Sequence, residues 1–273
     1  MAIITISREI AALGDETAGE LSKLLGFRLV DKASIEKRFA EYGFSEKKLE
    51  KFDERKPGFW ASLSQDRDDY LHFLKKALYQ EAQGGDTVFI GRGAVAIFRD
   101  LPATLSVLLV APMNVRLERV KSYFRCDDKR ARQIIEQSDH DRAGFHRYFF
   151  DLDWESPANY NLVLNTGLLH PATAAELIAE AKKLVITSEA EAKTRVRLRD
   201  LAVAQSVVSR VIYEKKIPIH FLEADSADGE IVLHGVANSQ TLIEAAVAAS
   251  REVEGVRSVR SEIQVVQEYT VMP

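Results

Sequence analysis

Short apolar, β-branched runs alternate along most of this chain with stretches whose apolar residues recur at helical spacing. Ile3 to Ser7 is the first such run, and Leu21, Leu24 and Leu25 follow it at helical spacing after an irregular stretch. Phe27 to Val30 is the next apolar piece. It leads into Asp31 and a helix holding Ile35 and Phe39. Ser45, with Lys48 three residues on, predicts a further helix start. From Asp66 to Gln83, the residues Tyr70, Phe73, Leu74, Ala77 and Leu78 fall on one face of a long helix, which Gly84 and Gly85 end. Strands at Thr87 to Ile90, Leu105 to Val110 and Asn161 to Leu164 alternate with helices over 112–125, 128–150 and 172–185. This alternation predicts an α/β domain with a mostly parallel sheet covered by helices on both faces. Ligands of such sheets sit beyond the carboxyl ends of the strands.

The pattern changes after Thr187. The polar stretch Thr187 to Thr194 lacks the apolar spacing of its neighbours, which places a boundary there: residues 1–187, a linker over 188–195, and a second domain over 196–273. That second part reads as a helix with Leu198, Leu201, Val208, Val211 and Ile212, then strands Ile217 to Ala224 and Glu230 to Val236 around an Asp228-Gly229 turn. A helix over Ser239 to Glu254 and a strand over Val256 to Val266 complete a small αββαβ (α+β) domain.

Composition narrows the function classes. At 273 residues, 46% hydrophobic and 29% charged, the chain can bury two cores. No run reaches the roughly 20 apolar residues of a membrane span, and the N-terminus lacks an export pattern, so no membrane role is expected. The single cysteine, Cys126, excludes an internal disulfide and a cysteine metal cluster and fits a reducing, cytoplasmic compartment. A net charge of −4 argues against broad nucleic-acid binding.

A strand that breaks into a loop and then a helix offers free N–H groups and the positive helix end to a phosphate. Here the loop reads SREIAALGDETA from Ser7. Ser7, Arg8 and Glu9 match the opening of the cytidylate kinase-like family, and over residues 3–182 the chain resembles that family of P-loop nucleoside monophosphate kinases. The family's three loop glycines correspond to Ala11, Leu13 and Gly14, so only Gly14 is kept. The positions for the lysine and the hydroxyl residue that serve triphosphate and magnesium hold Gly14 and Glu16, with Asp15 between them. The phosphate loop therefore reads as degenerate. Asp15 and Glu16 also suit the first turn of a helix, and Arg8 either replaces the lysine or forms a surface ion pair.

Further positions match the family. Asp31-Lys32 corresponds to its Asp-Lys pair at the start of the acceptor-nucleotide helix, where Lys32 would hold the acceptor phosphate; the plain alternative is Asp31 as a helix cap with Lys32 in solvent. Gly91-Arg92-Gly93-Ala94 is the sharpest match. Arg92 would hold a phosphate with two parallel hydrogen bonds while the glycines let the ligand approach, or else pair with an acidic neighbour such as Asp31. Arg116 and Arg119 lie on one helix, and Asp139, Arg142, His146 and Arg147 on the next, which the resemblance makes the lid. Arg142 and Arg147 would then stabilise the transferring phosphoryl group; a solvated basic face is the alternative. Asn159-Tyr160-Asn161 and Asn165-Thr166 match the last strand and its loop, where a base or ribose would lie. The αββαβ part resembles a BON domain, which implies binding or assembly, with an edge strand as one contact.

The resemblance implies transfer of a phosphoryl group from ATP to a nucleoside monophosphate, with ATP and Mg as the cofactors of an active member. The altered loop favours reduced or absent turnover. The competing reading is an inactive nucleotide sensor or an assembly protein. The expected partner is a nucleotide or another phosphorylated small molecule, with a homo-oligomer as a further expectation.

Overall fold

A computed structural model of the chain describes residues 1–43 and 64–266. The helix start expected at Ser45 to Lys48 lies outside the described residues. The chain divides into two units, Met1–Thr194 and Arg195–Pro273.

In the first unit β1 (Ile3–Arg8), α1 (Gly14–Leu25), β2 (Arg28–Val30) and α2 (Lys32–Glu41) are followed by α3 (Ser64–Gln83) and β3 (Thr87–Ile90). A single turn α4 (Ala94–Ile97) leads to β4 (Thr104–Val110), α5 (Met113–Phe124), α6 (Asp128–Phe150), β5 (Leu162–Asn165) and α7 (Pro171–Val185). The strands form one sheet in the order β2-β3-β1-β4-β5. Every pairing in it is parallel. Central β1 is flanked by β3 and β4, so the connections diverge at its carboxyl end and open a crevice there.

Register explains the layers. Ile4 pairs with Val88 and Leu105, and Ile6 with Ile90 and Val107, so these six side chains share one face. They pack on Ala18 and Leu21 of α1 and Ala174, Ala175 and Ile178 of α7. Burying an aliphatic side chain of this size stabilises by roughly 1.5–3 kcal/mol, which fixes α1 and the turn before it against the sheet. The opposite face is aromatic: Phe39 stacks on Tyr70 with ring centroids 5.4 Å apart, Tyr70 meets Phe149 at 5.0 Å, and Phe89 meets Phe98 at 4.8 Å. Asp31 caps α2 by accepting the Ser34 N–H at 2.9 Å, and Asp127 caps α6 by accepting the Arg130 N–H at 2.8 Å.

The stretch expected as a polar linker is helical. Helix α8 runs over Ser188–Val208, because alanine, glutamate and lysine are strong helix formers whether or not an apolar stripe is present. In the second unit a π-helical segment (Ser209–Glu214) is followed by β6 (His220–Ala227), β7 (Glu230–Ala237), α9 (Gln240–Arg251), β8 (Ser258–Ser261) and β9 (Gln264–Val265). The first of these strands starts three residues later than expected. Pro218 has no N–H to give a ladder, and the Ile219 N–H closes a local turn onto Ile217 O at 2.9 Å. Asp228 and Gly229 both have positive φ, 48° and 82°, the geometry of a two-residue hairpin turn. The final strand is interrupted at Glu262 and Ile263, where the Ser261 hydroxyl accepts the Ile263 N–H at 3.2 Å. Val207, Val211, Ile231, Leu233, Ile243 and Ala246 form the core of this unit. Among the described residues no helix is long and apolar enough to cross a membrane.

Candidate phosphate-binding cleft

The turn between β1 and α1 holds Ala11 at φ 61° and Leu13 at φ 54°, the left-handed region that glycine occupies without strain. For other residues that region costs roughly 1–2 kcal/mol each, so the turn has to be held from outside. Three successive carbonyls are held in this way. Arg116 Nε donates to Ile10 O at 2.9 Å, Arg119 Nη1 to Ala11 O at 2.9 Å, and Thr166 Oγ1 to Ala12 O at 3.0 Å. The holders are themselves fixed: Arg116 pairs with Glu9 at 3.2 Å and Asp139 at 2.6 Å, and Arg119 Nη2 donates to Thr166 O at 2.7 Å. Glu9 also accepts the Ala111 N–H at 2.8 Å. Burial raises the Glu9 pKa above the usual carboxylate value, against the lowering pull of that N–H and of Arg116.

A trans peptide points its N–H opposite to its carbonyl. The outward carbonyls of Ile10, Ala11 and Ala12 therefore turn the next three N–H groups to the other side, where Ala12 N–H returns to Glu9 O at 3.3 Å. The N–H groups of Gly14, Asp15 and Glu16 precede the first intrahelical bond, from Thr17 N–H to Leu13 O at 3.0 Å. This concentration of N–H dipoles at the start of a 12-residue helix is what an anion requires.

The side chains around the turn tell a different story. The stem of Arg8 lies across Gly14, and a Cβ at that position would run into the Arg8 Cγ, so a larger residue there would force Arg8 to move. Arg8 Nη2 reaches the exposed Asp15 carboxylate at 3.7 Å. Glu16 is exposed beside it. Thr17 is buried, and its hydroxyl donates to Leu13 O at 2.7 Å. Ser7 is buried beneath Tyr160, whose hydroxyl donates to Trp154 O at 2.9 Å. Burial drives the Tyr160 pKa up to about 12, with the Ser7 hydroxyl partly offsetting it.

The turn opens into a cleft of about 1420 Å³, bounded by Arg8, Asp15, Glu16, Arg119 and Arg142 among others. Of the two lid arginines expected together, only Arg142 lines it. Arg142 is buried, donates to Ser138 Oγ at 2.8 Å and gives its carbonyl to His146 Nδ1 at 2.9 Å. Arg147 is exposed and away from the cleft. Five residues turn a helix through about 500°, so the two side chains diverge by about 140°.

Asp31, Lys32, Gly91 and Arg92 do not line this cleft. They gather at the β3 end and the start of α2. Lys32 and Arg92 both reach Glu36, at 3.5 and 3.2 Å. Glu36 is thus an acidic neighbour of Arg92, and Asp31 serves as the cap of α2. Gly91, Arg92 and Gly93 all have positive φ, 71°, 55° and 68°. The space a Cβ would take at Gly93 is filled by the ring of Phe150, so this glycine serves packing where ligand approach was expected. Asn161, expected near a base or ribose, uses its side-chain oxygen to accept Ser106 N–H and Oγ, both at 2.8 Å. Asn165 accepts the Gly167 N–H at 2.8 Å. The holding roles of Glu9, Arg116, Arg119 and Thr166 have no signature in the spacing, since they join the turn to residues roughly a hundred or more positions away.

Among the described residues no group of three or more histidine, cysteine, aspartate or glutamate side chains is placed to hold a metal ion. A BON domain model matches residues 199–267. No curated protein matches the chain. Among solved structures, an uncharacterized protein from Eubacterium ventriosum is 19% identical with a TM-score of 0.52, covering 67% of this chain and 99% of its own. Shikimate kinase from Bacteroides thetaiotaomicron is 17% identical with a TM-score of 0.41, covering 67% of this chain and 97% of its own. The cytidylate kinase-like family model matches residues 3–168, more than half of the chain, and together with the parallel sheet and the turn after its central strand this makes the chain a member of the cytidylate kinase-like family.

Proposed function

We propose that the first unit binds a nucleotide or another phosphorylated small molecule over the β1–α1 turn, and that standard phosphoryl transfer from magnesium-ATP is weak or absent. The observation that carries this reading is the contrast between the turn's backbone and its side chains. The backbone keeps a strained, N–H-rich shape at Ala11 and Leu13, held by Arg116, Arg119 and Thr166. By the family match, Gly14 and Glu16 stand at the positions of the lysine and the magnesium-binding hydroxyl, and Asp15 between them adds a second carboxylate to the first helical turn.

Phosphoryl transfer depends on positioning and charge neutralisation. Each carboxylate facing a phosphate charge at 4 Å opposes binding by up to about 4 kcal/mol at an effective dielectric of 20, less when exposed. The nearby Thr17 hydroxyl does not fit the magnesium role, since it is buried and bonded to Leu13 O. The turn is degenerate in this sense: it suits phosphate capture by backbone dipoles better than the standard triphosphate grip. Arg119, Arg130 and Arg142 add positive charge to the cleft, and Arg8 faces Asp15 at 3.7 Å. An acceptor pocket at Lys32 and Arg92 belongs to this proposal, with Glu36 displaced by the ligand phosphate.

In the division of labour proposed, residues 1–187 hold the ligand and the BON-like residues 196–273 bind a partner or assemble. Calorimetry of the full chain with nucleoside mono-, di- and triphosphates, alongside a coupled assay with Mg-ATP and a nucleotide panel, tests the reading. Binding with turnover far below the ordinary 1–100 per second of kinases is expected. No binding of any phosphate overturns the ligand half, and turnover in the ordinary range overturns the second half.

A further inference from the structure

One part of the cleft is unused by the phosphate reading. At the end of α5, Tyr123 and Phe124 line the same cleft as the turn, and they are 83% and 50% exposed. Neighbours in a helix point about 100° apart, so one of two adjacent aromatics ordinarily turns into a core. Here neither does. The small core beside them, formed by Val120, Ala131 and Ile135 with Ile10 and Leu117 at its margin, includes no atom of either ring. The rings meet edge to face, with centroids 5.0 Å apart, which fixes their mutual orientation without covering them.

Their distance from the turn is set by the helix. Arg119, which holds Ala11 O, precedes Tyr123 by four residues and shares its face of α5, one turn or about 6 Å along the axis. The aromatic pair therefore lies within reach of a moiety joined to phosphates held on the turn. Arg130 of α6 lines the same cleft and adds positive charge to it. An exposed aromatic surface flanked by cationic groups suits a planar ring joined to an anion.

We infer that Tyr123 and Phe124 form a stacking platform for the planar ring of the phosphorylated ligand, so that the cleft selects a nucleotide-like molecule over a phosphorylated sugar or an inorganic polyphosphate. This rests on the phosphate reading of the turn and adds the ring to it. Because both side chains are exposed, the Tyr123→Ala/Phe124→Ala double variant keeps its fold, which circular dichroism and a melting curve verify.

Calorimetry of the full chain compares ATP, GTP and CTP with inorganic tripolyphosphate. The wild type is expected to bind its best nucleotide more tightly than tripolyphosphate. The double variant is expected to lose roughly 5- to 100-fold in nucleotide affinity, the range of base stacking on aromatic side chains, with tripolyphosphate affinity changed less than about twofold. Equal wild-type affinity for nucleotides and tripolyphosphate overturns the inference while leaving the phosphate site standing. So does an unchanged nucleotide affinity in the double variant, or an equal loss for both ligand types. Absence of all binding in the wild type overturns the phosphate reading itself, and this inference with it.

Discussion

Ala11 shows what the turn demands of a single residue. Its φ of 61° strains the chain, and glycine would relieve that strain at a conformational-entropy cost of roughly 0.5–1 kcal/mol. Ala11→Gly is expected to raise the unfolding free energy by about 0.5–1 kcal/mol in urea titration; a clear loss would mean that the methyl packing outweighs the backbone strain. His72 gives the chain an acid-sensitive point. Burial, followed by Lys76 and Lys75, lowers its pKa to about 3 from an ordinary 6.5. The unfolded chain then binds the extra proton between those two values while the folded chain does not, so stability is intact above about pH 6.5 and declines as pH falls toward 3. The raised pKa of Glu9 has the opposite sign: its contribution is present below the usual carboxylate value and fades as pH rises through its folded value. The larger His72 shift dominates. Melting curves at pH 7 and pH 5 are expected to show a smaller acid-induced drop for His72→Gln than for the wild type, and equal drops would contradict the assignment.

Elements are where sequence and structure agree best and where their disagreements teach most. The strands Thr87–Ile90 and Thr104–Val110 and the helices from Met113 to Val185 were legible because apolar periodicity is a direct consequence of burial on one face. The first part of helix α8 was not, since Ser188–Val208 begins with polar helix formers that periodicity cannot distinguish from a linker, whereas its second half, with Leu198, Leu201 and Val208, reads as helix. The strand-turn-helix order was legible, yet the support of the turn was hidden: Arg119 reads only as a helix position and Thr166 as near a base or ribose, while they hold the Ala11 and Ala12 carbonyls. Arg119→Met leaves the Ala11 and Thr166 carbonyls without that partner, and a stability loss of about 1–3 kcal/mol is expected together with weaker tripolyphosphate binding. Stability loss with unchanged phosphate affinity would show that the turn keeps its shape unaided. At the other site, Gly93→Ala drives a Cβ into the Phe150 ring at a φ of 68°. It should cost more than about 1 kcal/mol, and adding Phe150→Ala should make the combined loss smaller than the sum of the two. Strict additivity would remove the contact from the account.

On the scale of the whole molecule, the two units have separate cores, and their order along the chain follows the change from βα alternation to αββαβ. The cleft sits where a central parallel strand ends, the position that sheet topology dictates. In the proposed function the balance of charge at the turn decides how a phosphorylated ligand is held. A turn rich in backbone N–H groups faces two carboxylates, and on the proposed function that backbone captures the anion while Asp15 and Glu16 weaken the grip. The most direct test is titration of the full chain with tripolyphosphate at low salt, comparing the wild type with Asp15→Asn/Glu16→Gln. Measurable wild-type binding, tightened about tenfold or more in the double variant and less so at high salt, is the predicted result. No binding to either protein, or the same affinity for both, would contradict it.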